Sequence, residues 1–539
     1  MSNHLTNNEA AEPAAGAKRR RKIWLASGVA GLTGVVSLAA VGVATGAGAA
    51  GVDGLRWATA QVSSDGDQGR GDEGRDRHGK DDKDKDKDKD RKHDERGKEV
   101  PCNTDKLIQA IVFANDNHGA TLELARNCTY NLTRTDEYGN GLPVITEDVT
   151  LKGDNTKIVR DATAEHFRIL NVGPGGHLTL KGLTIKGGQT TNYLTAPEPA
   201  AVWSAYSSAS DLSAAAQKSG KVVATPQRTA LKAVPKATPK AGVGTLVERP
   251  DYDDGAGILV QPGGTADIEK SEILQNQSGG NGGGVANFGT TSIRQSTVAE
   301  NTAFFFGGGI FNAGLLRVSE ANIKNNEAGI GGAGISNGAA RIFTDDVDGG
   351  TVWVEKTEIS GNKTLGFGGG ILDIEGDTTV KHSKITDNTA LVAGGGIATA
   401  ETSLNLVDVK VEKNSTLLAG GGLAIAFDSV ATIEDSSIKD NVSAFIGGGL
   451  FVEDSTVTLR KSEVVGNRAV GPFGTGGGIF NFFGDVRLDK SKVAHNSSTN
   501  APGGVWTNNG FQVDNKSAIT ANRPTNCLGS PDVPQNCFG

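Results

Sequence analysis

Four cysteines, one methionine and an aromatic content of 5% are little for a chain of 539 residues. No helix-length amphipathic run occurs among the repeats of the second half, which excludes a helical solenoid there. The net charge of −8 is modest for this length. Basic residues do not cluster in the repeat region, so nothing points to nucleic acid as a partner. The cysteine spacings match neither a zinc signature nor a thioredoxin-like redox motif. What is abundant is glycine: 76 residues, about twice the usual share.

The second half repeats one phrase. It has an apolar residue, four others, Ile or Val, two others, Asn, a short apolar run, then Gly-Gly-Gly-Ile or a close variant. One copy is Ile433, Ile438, Asn441 and Gly447-Gly448-Gly449-Leu450. The Asn recurs as Asn276, Asn301, Asn326, Asn362, Asn388, Asn414, Asn441, Asn467, Asn496 and Asn522. Successive Asn residues lie 25–29 apart, with one step of 36. Self-similarity at this period is the mark of a solenoid. Val, Ile and Thr alternate within each copy, as in Val352-Trp353-Val354 and Val457-Thr458-Leu459, and alternation of β-branched residues is a strand pattern. Two or three short strands with Gly and Asn at the corners make one turn of a parallel β-helix. Asn suits a corner because it tolerates left-handed backbone geometry. Stacked Asn side chains can also hydrogen-bond along a ladder.

The pairing of Ile-x-x-Asn with Gly-Gly-Gly-Ile resembles the repeat of polymorphic outer membrane proteins, which joins Phe-x-x-Asn to Gly-Gly-Ala-Ile. More broadly it resembles right-handed parallel β-helix proteins of pectate lyase-like architecture. The likeness covers roughly residues 104–522. It departs from the polymorphic repeat in carrying Ile or Val for Phe and mostly Gly for Ala, and no β-barrel translocator follows the repeats. The fold expected is all-β: a single-stranded right-handed parallel β-helix with an N-terminal capping helix.

Before the repeats, residues 1–60 read as an export signal or an N-terminal membrane anchor. Lys18-Arg19-Arg20-Arg21-Lys22 precede an uncharged Gly/Ala/Val-rich stretch. Residues 61–100 are a charged linker centred on alternating Asp and Lys, with nothing apolar to bury, and disorder is expected. The β-helix is assigned to 101–539, with a low-complexity insertion at 190–252. Thr104 to Phe113 has helical spacing and an N-terminal cap signal. A helix there would protect the open end of the first coil, as terminal repeats require. In the coil around Leu183-Thr184-Ile185, Gly188 stands where later coils carry Asn. The rod should hold about 12–13 coils, roughly 60 Å in length. Cys102 with Cys128, and Cys527 with Cys537, bracket the two ends as expected disulfides. Other connectivities would join opposite ends of the rod. An even count in an exported chain fits an extracellular or cell-surface location.

Chemistry on such a fold would be a column of residues from neighbouring coils. The column three residues after each glycine triplet reads Asn287, Asn312, Asn337, Asp373, Thr399, Ile425, Val452, Asn481, Thr507. One acidic residue is too few for a carboxylate pair, so no catalytic residue is assigned. The column reads as structural or weakly sugar-binding, and Asp373 as a single surface carboxylate. His177 follows Gly175-Gly176 in an early irregular coil, without carboxylate company. No metal site is assigned and no cofactor is expected. Calcium is the one ion the clusters Asp251, Asp253, Asp254 and Asp345, Asp346, Asp348 would admit, although such Asp/Gly runs commonly build turns. The corner before each triplet is often apolar, as at Phe304-Phe305-Phe306, Phe367 and Phe473. These side chains fill the core or form a strip that binds sugar or protein. Three consecutive Phe residues cannot all point inward, so Phe304, Phe305 and Phe306 join Asp373 as binding candidates. Asn414-Ser415-Thr416 and Asn441-Val442-Ser443 lie on the ladder and are not read as glycosylation sites.

The first functional reading is a non-catalytic, exported surface or secreted rod for adhesion or carbohydrate binding. Its partner would be a polysaccharide or a cell-surface protein. Membrane contact is expected only through the N-terminal segment. The second reading is a polysaccharide lyase or glycoside hydrolase, which needs Asp251, Asp253 or Asp254 near Asp373 or a basic residue. A third is a stalk that presents the linker or the insertion.

Overall fold

The structure, a computed structural model, describes residues 97–190, 253–339 and 347–538. The export segment, almost all of the charged linker, and the insertion beyond Thr190 lie outside the described residues. The rest winds into a right-handed parallel β-solenoid of about 14 turns. At roughly 4.8 Å per coil the rod is about 67 Å long.

The first ordered strand, β1 (Lys98–Val100), takes in residues counted with the linker. The helix α1 (Thr104–Asp116) follows. Next come β2 (Ala120–Leu124), β3 (Thr129–Leu132), β4 (Asp148–Arg160), β5 (Leu170–Val172), β6 (His177–Lys186) and β7 (Ile258–Val260). Asn103 caps α1, its side chain accepting from the Lys106 N–H at 3.1 Å. Leu107, Ile108, Ile111 and Ala114 of α1 are buried in the same cluster as the first coils, which fits a cap over an open apolar end. The disulfides Cys102–Cys128 and Cys527–Cys537 are both formed.

A regular coil carries four short strands, not two or three: Thr290–Arg294, Thr297–Ala299, Thr302–Ala303 and Ile310–Asn312. Each pairs in parallel with its counterpart in the next coil. The first two positions share one 25-stranded sheet, and the others form sheets of 9 and 11 strands. The inward residues stack by type. Ile268, Ile293, Val318, Val354 and Val380 are one such stack, each side chain buried. Burial of such stacks is the main favourable term in folding.

The Asn ladder runs through the wall of the rod. Each Asn side chain donates to the Asn oxygen of the next coil and to a backbone carbonyl of the coil before. Asn388 donates to Asn414 Oδ1 at 3.0 Å and to the Ile359 carbonyl at 2.9 Å. Its own oxygen accepts from the Asn362 amide group at 2.9 Å and from the Asn362 N–H at 3.0 Å. The ladder begins at the Gly188 N–H, which donates to Asn276, and ends on Asn526. The left-handed corner is not taken by the Asn itself. The residue before it has positive φ, as at Glu300, Asp387, Lys413 and Asp440, and that turn lets the Asn side chain point inward. Asn414 and Asn441 are buried, so their sequons are closed to modification in the folded rod.

The glycines of the triplet differ in their duties. Gly394 has φ +66 and no room for a side chain: a Cβ would lie 2.3 Å from the Ile397 carbonyl oxygen. The middle position accepts Ala, as Ala333 and Ala256 demonstrate. The third, Gly396, lies under the ladder, where a Cβ would sit 3.0 Å from the Asn414 amide nitrogen.

Candidate functional site

The column after the triplets keeps the register read from the sequence: Asn312 pairs with Asn337, Asn337 with Asp373, and Asp373 with Thr399. It faces the lumen, however, not a groove. Asp373 is 0% exposed, so it is not a surface carboxylate and cannot meet a polysaccharide. The physical reason is strand parity. Ile371 and Asp373 lie on one face of their strand, and Ile371 is core. Asn287 donates to Asn312, Asn312 to Asn337, and Asn337 to Asp373 Oδ1 at 2.9 Å. Burial pushes the Asp373 carboxyl up to about 7, with the hydrogen bond from Asn337 opposing the shift.

The three Phe candidates separate. Phe304 and Phe305 are 40% and 41% exposed and meet edge to face, with ring centroids 4.9 Å apart. Phe306 is buried in a second apolar cluster outside the lumen, with Phe311 and Phe367. Phe473 is 73% exposed and stacks on Phe445.

His177 does have carboxylate neighbours. Its Nε2 lies 2.9 Å from Asp267 and its Nδ1 lies 3.7 Å from Asp148. These residues come from adjacent coils of one sheet, with His177 paired to Asp148 and to Thr265, so linear sequence could not reveal them. Asp254 is buried and accepts from the Asn281 N–H at 2.7 Å. It belongs to a corner of the wall, whereas Asp373 lies in the lumen several coils away. Asp254 and Asp373 are therefore not brought together, whereas a basic residue does lie beside Asp254: the buried Arg168 guanidinium donates to its backbone carbonyl at 2.9 Å. Asp251, Asp345 and Asp346 lie outside the described residues. Among the described residues, no group of three His, Cys, Asp or Glu is placed to hold a metal.

One outward feature stands out on the large sheet. In the strand Thr351–Glu355, Val352 and Val354 point into the core and Trp353 points out, 52% exposed. Arg317 pairs with it in the coil before, and Thr379 in the coil after. Lys381 holds its ammonium 5.6 Å from the indole centroid. An indole with Lys381 over its ring and Arg317 at the paired position of the coil before is a platform about three coils wide. The alternation Val-Trp-Val carried this signal in the sequence, since two inward Val residues force the Trp outward.

The family described as a right handed beta helix region matches residues 336–485. In fold, the chain is similar to the A-module of the mannuronan C-5 epimerase AlgE6 from Azotobacter vinelandii. The identity is 13%, over 77% of this chain and 94% of that one, with a TM-score of 0.36. No curated protein matches the sequence.

Proposed function

We propose that this chain is an exported, non-catalytic β-helix rod that binds an extended polysaccharide on the outer face of its large sheet. The observation that carries the reading is Trp353, half-exposed between Arg317 and Thr379 on a parallel sheet. The face of an indole is electronegative, and the C–H bonds of a pyranose ring present the complementary positive edge. Arg317 and Lys381 offer donors to carboxylate or hydroxyl groups on the same sugar. Repeated coils suit a repeated ligand, because the sheet offers similar outward positions at each step. Two disulfides are in keeping with export to an oxidising compartment.

The test is retention of the full chain on immobilised acidic and neutral polysaccharides, with and without calcium, beside the Trp353→Ala variant. Absorbance of unsaturated products is followed in parallel. Retention that weakens in the variant, without turnover, supports the proposal. Product formation, or equal retention of both proteins, overturns it.

A further inference from the structure

Between the nine-stranded and the eleven-stranded sheet each coil turns a corner. In six consecutive coils the corner is two residues long, from Phe304-Phe305, between the paired ends Ala303 and Phe306, to Ala444-Phe445, between Ser443 and Ile446. The seventh widens it to residues 470–474, ahead of Thr475. No residue in these corners has a polar side chain. Phe304, Phe305, Leu365, Leu417, Val470 and Phe473 are 40–73% exposed. Ile330, Leu391, Leu418 and Phe445 are half-buried between them. The corners stack in register: the Leu417 N–H donates to the Leu391 carbonyl, and the Ala444 N–H to the Leu417 carbonyl, each at 3.2 Å. The result is one apolar ridge about 29 Å long, at roughly 4.8 Å per coil.

The six exposed side chains alone present on the order of 500 Å² of apolar surface, near the upper end of what a typical monomer leaves in one patch. With the half-buried residues and the column beside them, the ridge approaches the roughly 800 Å² per partner of a stable dimer. Its side chains offer a sugar neither donor nor acceptor. A second copy of the chain carries the same ridge at the same spacing and can cover it coil by coil.

We propose that two copies of this chain associate ridge to ridge, antiparallel, about a two-fold axis at Leu391. Leu391 lies in the fourth of the seven coils and therefore meets itself. Side-chain size favours this direction. The corners with a glycine, Gly329-Ile330 and Leu365-Gly366, then face Ala444-Phe445 and Leu417-Leu418 of the second copy. Parallel rods would set glycine on glycine, and the gap would forfeit contacts. Charge agrees as well. The two-fold brings the outward columns of the nine-stranded sheets face to face, and of the seven residues in each, three are charged: Glu327, Lys363 and Arg468. They meet Val442, Ser415 and Thr302 of the second copy, so no like charges oppose, and Glu327 comes one coil from the Arg468 of that copy. An apolar strip with a polar border is the anatomy of an interface. Trp353 lies on a different sheet, so this proposal and the glycan platform stand or fall separately.

Sedimentation equilibrium of the full chain should show a dimer below about 100 μM. Leu391→Arg opposes two cations at the two-fold and should weaken self-association at least about a hundredfold. Leu365→Asp should also weaken it, and adding Leu417→Lys should restore the dimer, because these two positions face each other only in the antiparallel order. That recovery cannot come from a misfolded chain, so the test stays decisive if a single variant is unstable. A chain still monomeric at about 100 μM overturns the proposal. So does a dimer that Leu391→Arg leaves intact, or a double variant that does not recover. Binding of phosphatidylcholine vesicles or of a polysaccharide by a monomeric chain, abolished by Leu391→Arg, would assign the ridge to another occupant and overturn it too.

Discussion

Asn337 donates its side-chain amide to Asp373 Oδ1 at 2.9 Å inside the lumen, where Asp373 ends a column of three asparagines. An Asn at this position would continue the column without a titratable group. Folding raises the Asp373 carboxyl from its ordinary 3.8 to about 7. The sign follows from linkage: the folded state holds the proton more tightly than the unfolded chain. Stability is therefore fullest below pH about 4 and is lost as pH rises through about 7. Asp373→Asn should flatten this dependence. At pH 8 it should raise stability by an amount on the order of 4 kcal/mol at most. Urea unfolding at pH 5 and pH 8 measures it. Equal loss of stability with pH in both proteins would remove Asp373 as the cause.

Replacing Asn388 by Ala tests the wall ladder. The change strips an acceptor from the Asn362 N–H and amide group, and a donor from Asn414 and Ile359. Each buried group left unsatisfied costs about 1–3 kcal/mol, so the loss should be a few kcal/mol. Asn522→Ala, at the less buried end of the ladder, should cost less. A rod is a chain of nearest-neighbour interfaces, so hydrogen exchange should quicken first in the coils beside Asn388 rather than along the whole rod.

Fold and site differed in legibility for a physical reason. The Ile/Val-x-x-Asn phrase specifies a coil through local alternation and corner chemistry, both carried by adjacent residues. Register was equally readable, because identical phrases stack in phase; Asn312, Asn337 and Asp373 align as their spacing implies. Facing was not. Asp373 reads as a surface carboxylate in the sequence, but its strand position shares parity with Ile371, so the carboxylate is in the lumen. His177 gained Asp148 from the coil before and Asp267 from the coil after, the latter across an 88-residue pairing offset (His177 to Thr265) that no linear motif spans. Trp353 reads in the sequence as one residue of a strand, and only its parity against Val352 and Val354 reveals it as exposed. Asn526, which receives the end of the ladder four residues after Asn522, breaks the period and so escaped it.

The two disulfides should contribute unequally. Cys102–Cys128 closes a separation of 26 residues and Cys527–Cys537 one of 10. Loop-closure entropy puts these near 3.5 and 2.7 kcal/mol, both approximate. The first also ties the coil under α1, while Cys128 and Cys527 are both packed in the core. Cys102→Ser/Cys128→Ser should therefore lower the midpoint of denaturant unfolding more than Cys527→Ser/Cys537→Ser, and fraying should begin at the N-terminal end. Hydrogen exchange of β2 and β3 beside the last coils distinguishes the two ends.

At the Trp353 platform, stacking and charge should separate by mutation. Trp353→Ala removes the indole face common to any pyranose and should weaken acidic and neutral glycans alike, by about tenfold or about 1.4 kcal/mol. Arg317→Gln with Lys381→Gln keeps the indole and removes two cations. It should weaken acidic glycans and leave neutral ones nearly unchanged. The loss should shrink as salt rises, because exposed charges are screened over about 8 Å at physiological ionic strength. Each side chain is outward on its strand, so thermal unfolding should shift little. Isothermal titration at low and high salt, with one glycan of each kind, reads both effects. If the double Gln variant weakened neutral glycans as much as acidic ones, the cations would be acting through the position of Trp353, and charge recognition would be discarded.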